Sequence, residues 1–131
     1  MHRRVAADRR RRVAGAAPRR SQDRNHGLDF GARPALVTYP GAIAALSAED
    51  LPDAVFAGHR HFHVSSWFLQ DGLRPGLKNR FAAARSAGLT TSLDTGYDLS
   101  EQWSPELLDT LTEVDVHLPN EVEIKGITGC Q

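Results

Sequence analysis

Two rhythms alternate along residues 27–131: short apolar runs, and longer stretches with apolar residues on one face only. That alternation predicts parallel α/β units. Ala35 to Tyr39 reads as a strand closed by Pro40-Gly41, Ala42 to Leu46 as a short helical turn, and Ser47 to Asp50 as a helix start stopped by Pro52. His61 to Ser65 reads as the next strand. Leu73 to Ala87 predicts the strongest helix: Leu77, Phe81 and Ala84 line one face, Lys78, Arg80 and Arg85 are available to solvent, and Gly88 stands where a glycine ends a helix. Leu89 to Leu93, rich in β-branched residues, predicts a strand. Ser104 then caps a helix that opens with Pro105 and Glu106 and runs through Leu107, Leu108 and Leu111. Val114 to Leu118 is a further strand, and Asn120 opens a last helix ended by Gly126 or Gly129. The sequence thus predicts an α/β fold with right-handed crossovers and a mainly parallel sheet flanked by helices. The expected sheet is unfinished, because Gln131 follows directly on a helix.

Composition changes this picture mainly at the amino end. The 131 residues suit one domain, and 40% hydrophobic and 24% charged residues are ordinary for a globular chain. No apolar run approaches the ~20 residues that a membrane-spanning helix needs, so no membrane partner is expected. One cysteine, Cys130, excludes an internal disulfide. The net charge of zero conceals two opposed parts: residues 1–26 hold nine arginines against Asp8 and Asp23, a net +7, and the remainder carries −7. Residues 1–26 lack aromatics, and their apolar content beyond Met1 is alanine with two valines. Too little surface can be buried there to offset ordering entropy, so a disordered basic tail (1–26) and a folded domain (27–131) are expected. Arginine clusters neutralise phosphates, but nothing aromatic is interleaved for base stacking, and nucleic acid is not expected as a partner. A targeting segment would be richer in serine than the single Ser21.

Three constellations carry candidate chemistry. His59, His61 and His63 alternate on one strand face, where imidazoles can converge on zinc or simply line the polar side while Phe62 and Val64 face the core. Asp94 closes the strand 89–93 at its carboxyl end, where open α/β sheets place ligands, and Asp98 follows in the same loop beside Trp103. Asp-Thr-Gly is equally ordinary turn chemistry. Leu118-Pro119-Asn120-Glu121-Val122-Glu123 sits at another strand's carboxyl end and opens a helix. N-x-x-E at that place suits water-held Mg²⁺ and phosphate at a helix amino end, and it also suits a capping box.

Many short pieces in one order resemble the middle of a PfkB/ribokinase-family carbohydrate kinase, over residues of about 33 to 130. They are Thr38-Tyr39-Pro40-Gly41-Ala42, His63-Val64-Ser65-Ser66 with Phe68-Leu69-Gln70, Arg74-Pro75-Gly76-Leu77, Ala84-Arg85, Gly88 to Thr95, Trp103, Val114-Asp115, Leu118 to Glu123 and Ile127-Thr128-Gly129. The resemblance implies an incomplete ribokinase-like three-layer α/β sandwich and a cytoplasmic enzyme that phosphorylates a sugar or related alcohol with ATP and Mg²⁺. It gives Asn120 and Glu123 a role in holding Mg-ATP, Glu123 through water to the metal, with Glu121 a weaker candidate. Asp94 and Asp98 become substrate or loop candidates, although Gly96 and Leu99 stand where the family pattern commonly has Asn and Pro. The family's amino-terminal Gly-rich sugar segment and its D-T-x-G-A-G-D motif, which supplies the catalytic base and anion hole, do not occur in this sequence. A truncated kinase, inactive alone, is therefore expected; the alternative is a non-catalytic α/β module whose basic tail binds an acidic partner.

Overall fold

The computed structural model describes residues 24–29 and 34–130, the first two strands as backbone only up to residue 37. Most of the basic tail lies outside the described residues. Strand β1 begins at Arg24, however, three residues inside the segment expected to lack order.

β1 (Arg24–Asp29) pairs antiparallel with β2 (Pro34–Tyr39), from Arg24 opposite Tyr39 to Asp29 opposite Pro34, as a separate two-stranded sheet. The strand expected at 35–39 exists, but it does not belong to the parallel sheet. Parallel neighbours need a crossover of a dozen or more residues, usually a helix. Between Tyr39 and His61 the chain makes only turns and two 3₁₀ segments, Ala48–Asp50 and Asp53–Phe56, interrupted by Pro52. The first of these starts as expected at Ser47, whose N–H and hydroxyl both donate to Asp50 Oδ2 (2.9 and 3.0 Å).

The main sheet is parallel, in the order β3 (His61–Val64), β4 (Thr90–Leu93), β5 (Val116–His117). α1 (Arg74–Ser86) links β3 to β4 and α2 (Pro105–Leu111) links β4 to β5; α3 (Glu121–Thr128) follows β5. α1 forms where the apolar spacing predicts it, and Leu77, Phe81 and Ala84 are fully buried. Burying Leu77 and Phe81 contributes about 1.5–3 kcal/mol each. Gly88 (φ +86°) takes the left-handed position that ends the helix. Ser104 caps α2, its Oγ accepting from the Glu106 N–H at 3.2 Å. Leu77, Phe81, Val64, Trp67, Leu73, Leu93 and Leu107 form one core, against which Leu111, Val114 and Ile127 pack. All three helices thus contribute to the layer on the Val64–Leu93 face of the sheet.

At the amino end of the sheet, Asp115 Oδ2 accepts from Thr91 N and Oγ1 (2.8 and 3.1 Å), and Asp115 N donates back to Thr91 Oγ1 at 3.0 Å. These bonds, the Thr91 backbone donor foremost, hold Asp115 below the usual carboxylate range. They lock β5 in register with β4.

Candidate functional site at the carboxyl ends of the strands

In open α/β sheets the crevice beyond the carboxyl ends of the strands is where ligands bind. Here those ends are sewn together by backbone bonds. Asp94 N donates to Val64 O (2.9 Å), Trp67 N to Asp94 O (3.2 Å), Phe68 N to Thr95 O (3.1 Å) and Leu118 N to Leu93 O (2.9 Å). The turn after β3 passes through Ser66 in the left-handed region (φ 57°, ψ 52°). Gly96 (φ +65°) lies against it, so that a Cβ at Gly96 would sit 3.3 Å from Ser66 Cα. The positive φ and this close approach together favour glycine here.

Asn120 and Glu123 are brought together as a reciprocal cap. Asn120 Oδ1 accepts from Glu123 N (2.9 Å), and Glu123 Oε2 accepts from Asn120 N (3.0 Å). Asn120 Nδ2 donates to Glu123 Oε1 (2.6 Å), and Thr95 Oγ1 donates to Glu123 Oε2 (3.4 Å). Glu123 is only 4% exposed, whereas Asn120 is exposed. The bond from Thr95 ties the amino end of α3 to the end of β4, and Thr95 is fully buried. Sequence reasoning missed Thr95; its only signal was its place directly after Asp94 at a strand end.

Glu121 projects into solvent and pairs with Lys125 one turn on (2.9 Å). Asp94 is half-buried, and its Oδ1 accepts from Gly96 N at 3.2 Å, the turn geometry that Asp-Thr-Gly allows. Asp98 serves its own loop. Its two oxygens accept from Ser100 N and Oγ (2.9 and 2.7 Å), Gln102 N (3.1 Å) and Trp103 N (2.8 Å), and it is buried. Burial alone would raise its pKa, but the bonds from Ser100, Trp103 and Gln102 outweigh it and hold the carboxyl below its ordinary range. Asp98 thus organises its own loop through these four bonds.

His117 is a second residue that sequence reasoning missed. It ends β5 in register with Leu93 and so faces the core side of the sheet. Its Nε2 is buried without a hydrogen-bond partner among the described residues. Burial lowers its pKa, and the charges of Glu123 and Asp94 pull the other way. His61 and His63 lie elsewhere, on the opposite face: His61 Nδ1 bonds Thr90 Oγ1, and His61 Nε2 and His63 Nδ1 both bond Ser92 Oγ, each at 2.7 Å. Among the described residues no group of three or more His, Cys, Asp or Glu could hold a metal ion. Cys130 is exposed and free, and no described helix is long and apolar enough to cross a membrane.

The oxygen donors of Asn120 and Glu123 are of the kind magnesium prefers. Their geometry does not fit direct coordination, because both Glu123 oxygens are engaged in the cap and buried. What the arrangement does offer is a capped amino end of α3 just beyond the carboxyl end of β5, with Asn120 exposed there.

No family model matches the sequence, and no curated protein matches it. Solved structures do resemble it. A PfkB protein from Polaromonas sp. JS666 superposes with a TM-score of 0.64 and 21% identity, over 82% of this chain and 40% of its own. An E. coli protein described as a ribokinase II, in its apo form, superposes with a TM-score of 0.56 and 19% identity, over 71% of this chain and 33% of its own. The chain thus spans less than half the length of either, and its parallel three-stranded sheet with helices matches a partial PfkB/ribokinase-like fold.

Proposed function

We propose that this chain supplies the nucleotide-facing α/β unit of a kinase that transfers a phosphoryl group from ATP, with Mg²⁺, to a hydroxyl of a sugar or related alcohol. One observation carries the reading. In a fold shared with PfkB and ribokinase II structures, Asn120 and Glu123 stand beyond the carboxyl end of β5 and are joined through Thr95 to the Asp94 loop at the carboxyl end of the adjacent parallel strand β4. The residues have separable tasks. The Glu121 and Val122 N–H groups at the start of α3 are the donors for an anion, at an end capped by Asn120, whose Oδ1 and Nδ2 both bond Glu123, and the helix dipole favours phosphate there. Glu123 positions both by fixing the cap. Magnesium would supply charge neutralisation on the phosphates; no step is assigned to it through Glu123, whose carboxylate is committed to the cap. The residues that would take the sugar proton lie outside this chain's motifs, so turnover belongs to the assembled protein.

Equilibrium dialysis with labelled ATP and Mg²⁺ tests the reading. Asn120→Ala should weaken binding at least several-fold. Replacing Arg9, Arg10, Arg11 and Arg12 together by Ser should leave it unchanged at physiological salt. If the arginine replacement abolishes binding and Asn120→Ala does not affect it, the chain is a module that holds acidic partners through its basic segment.

A further inference from the structure

The register gathers a polar cluster on the sheet face opposite Val64 and Leu93. His61 pairs with Thr90 and His63 with Ser92, so all four side chains share that face, away from the helical layer. Ser92 is only 5% exposed, whereas both histidines are exposed and hydrogen-bonded over it. The bonds fix which ring nitrogens carry protons. Thr90 Oγ1 spends its hydrogen on Arg60 O (3.2 Å), so towards His61 Nδ1, 2.7 Å away, it accepts. The neutral His61 ring therefore holds its proton on Nδ1, and its Nε2 turns a lone pair to Ser92 Oγ at 2.7 Å. Ser92 has one hydroxyl hydrogen, which goes to His61 Nε2, so His63 Nδ1 is the donor in the second 2.7 Å bond. Two imidazoles thus converge on a single oxygen.

We infer that this cluster is a zinc site, with His61 Nε2 and His63 Nδ1 as its protein ligands and water in the remaining positions. The inference is independent of the nucleotide reading. Zinc takes imidazole nitrogens at about 2.0–2.1 Å, and here two of them already point at one spot, open to solvent through exposed rings. The proton of His63 moves from Nδ1 to Nε2 through water, the Ser92 hydroxyl turns aside, and the ion takes its place between the rings. The outer support of such a site is also present. Metal-bound histidines almost always donate their other ring N–H to a fixed acceptor, which sets tautomer and orientation. His61 Nδ1 does so to Thr90 Oγ1, itself tied to Arg60 O. No third His, Cys, Asp or Glu joins the pair among the described residues, so the site is open and exchangeable, unlike the closed four-ligand sites that zinc uses structurally. Magnesium, which prefers oxygen ligands, does not compete for it.

The test titrates the full chain with zinc chloride in excess Mg²⁺, read by calorimetry and by the nitrogen shifts of the histidine rings. One zinc per chain is expected, with the rings of His61 and His63 moving and that of His117 still. His61→Gln and His63→Gln should each weaken binding at least tenfold, with unchanged α1 amide shifts showing that the fold persists. Thr90→Val, which removes the outer acceptor and no ligand, should weaken it by about tenfold. Absence of saturable zinc binding by the parent chain would overturn the inference, as would binding that is lost in His2→Gln or His59→Gln but kept in His63→Gln.

Discussion

The indole of Trp103 lies directly on the backbone of Gly126: a Cβ built at Gly126 would fall inside the ring, far within van der Waals contact of Cε2 and Nε1. Trp103 is itself in the left-handed region (φ 45°), and its N–H is held by Asp98 at 2.8 Å. The loop after β4 and the last helix are therefore joined by one close approach that needs a residue without a side chain. Trp103 also meets Tyr97 and Phe68 edge-on, with centroids 5.6 and 5.7 Å apart, so the contact anchors a small aromatic group.

Gly126→Ala is expected to destabilise the chain, although alanine favours a helix by about 1 kcal/mol over glycine. Overpacking against a ring that cannot retreat costs about 1–3 kcal/mol, so the net sign is a loss. Urea denaturation followed by tryptophan fluorescence measures it. An unchanged or raised midpoint would show that the ring moves freely.

Asp98→Ala removes the acceptor of four hydrogen bonds and should cost about 1–3 kcal/mol, because the freed N–H groups are left partly buried. The pH dependence has a definite sign. The folded pKa lies below that of the unfolded chain, so the contribution of Asp98 is fully present above about pH 4 and is lost as pH falls through the folded value. Stability measured from pH 5 downward should fall less steeply in the variant than in the parent.

His117 predicts a second pH effect. Burial depresses its folded pKa, so the unfolded chain binds the proton more readily. Stability should decline as pH falls below about 6.5, the ordinary histidine value, and level off once the folded pKa is passed. His117→Gln should flatten this region of the profile. A parent profile already flat between pH 7 and 5 would contradict the burial of Nε2.

Much of this architecture was legible in the sequence. The spacing of Leu77, Phe81 and Ala84 located α1, and Ser104-Pro105 and Asn120 located the starts of α2 and α3, because capping and helical periodicity are local signals. Gly129, in the left-handed region, ends α3, whereas Gly126, the other candidate, sits inside the helix under Trp103. That distinction depends on a partner more than twenty residues away. The pairing of β2 with β1 was not legible either, since Arg24–Asp29 has almost no apolar pattern and is defined by its partner strand. At the site, N-x-x-E was visible, but its geometry was not: the same two residues serve as a cap or as ligands, and only the burial of Glu123 decides which. His117 was hidden by alternation, because in β5 the apolar Val116 takes the exposed face and the histidine takes the core side.

Asn120→Ala is expected to cost about 0.5–2 kcal/mol, the usual range for a lost amino-terminal cap. Glu123→Ala should cost at least as much, since Thr95 and the Asn120 amide both lose an acceptor. The two losses should be less than additive in the double variant, because the side-chain bond from Asn120 Nδ2 to Glu123 Oε1 is removed by either substitution. Full additivity in chemical denaturation would mean that the two residues do not act as one cap.

The most direct measurement for the central claim is amide chemical-shift mapping of the isotopically labelled chain during titration with ATP in the presence of Mg²⁺. Saturable shifts confined to residues 94–96 and 118–124 are expected, with the Asn120 to Glu123 amides moving most. Shifts confined to the arginine-rich residues 1–24, with 94–96 and 118–124 silent at saturation, would contradict the nucleotide site.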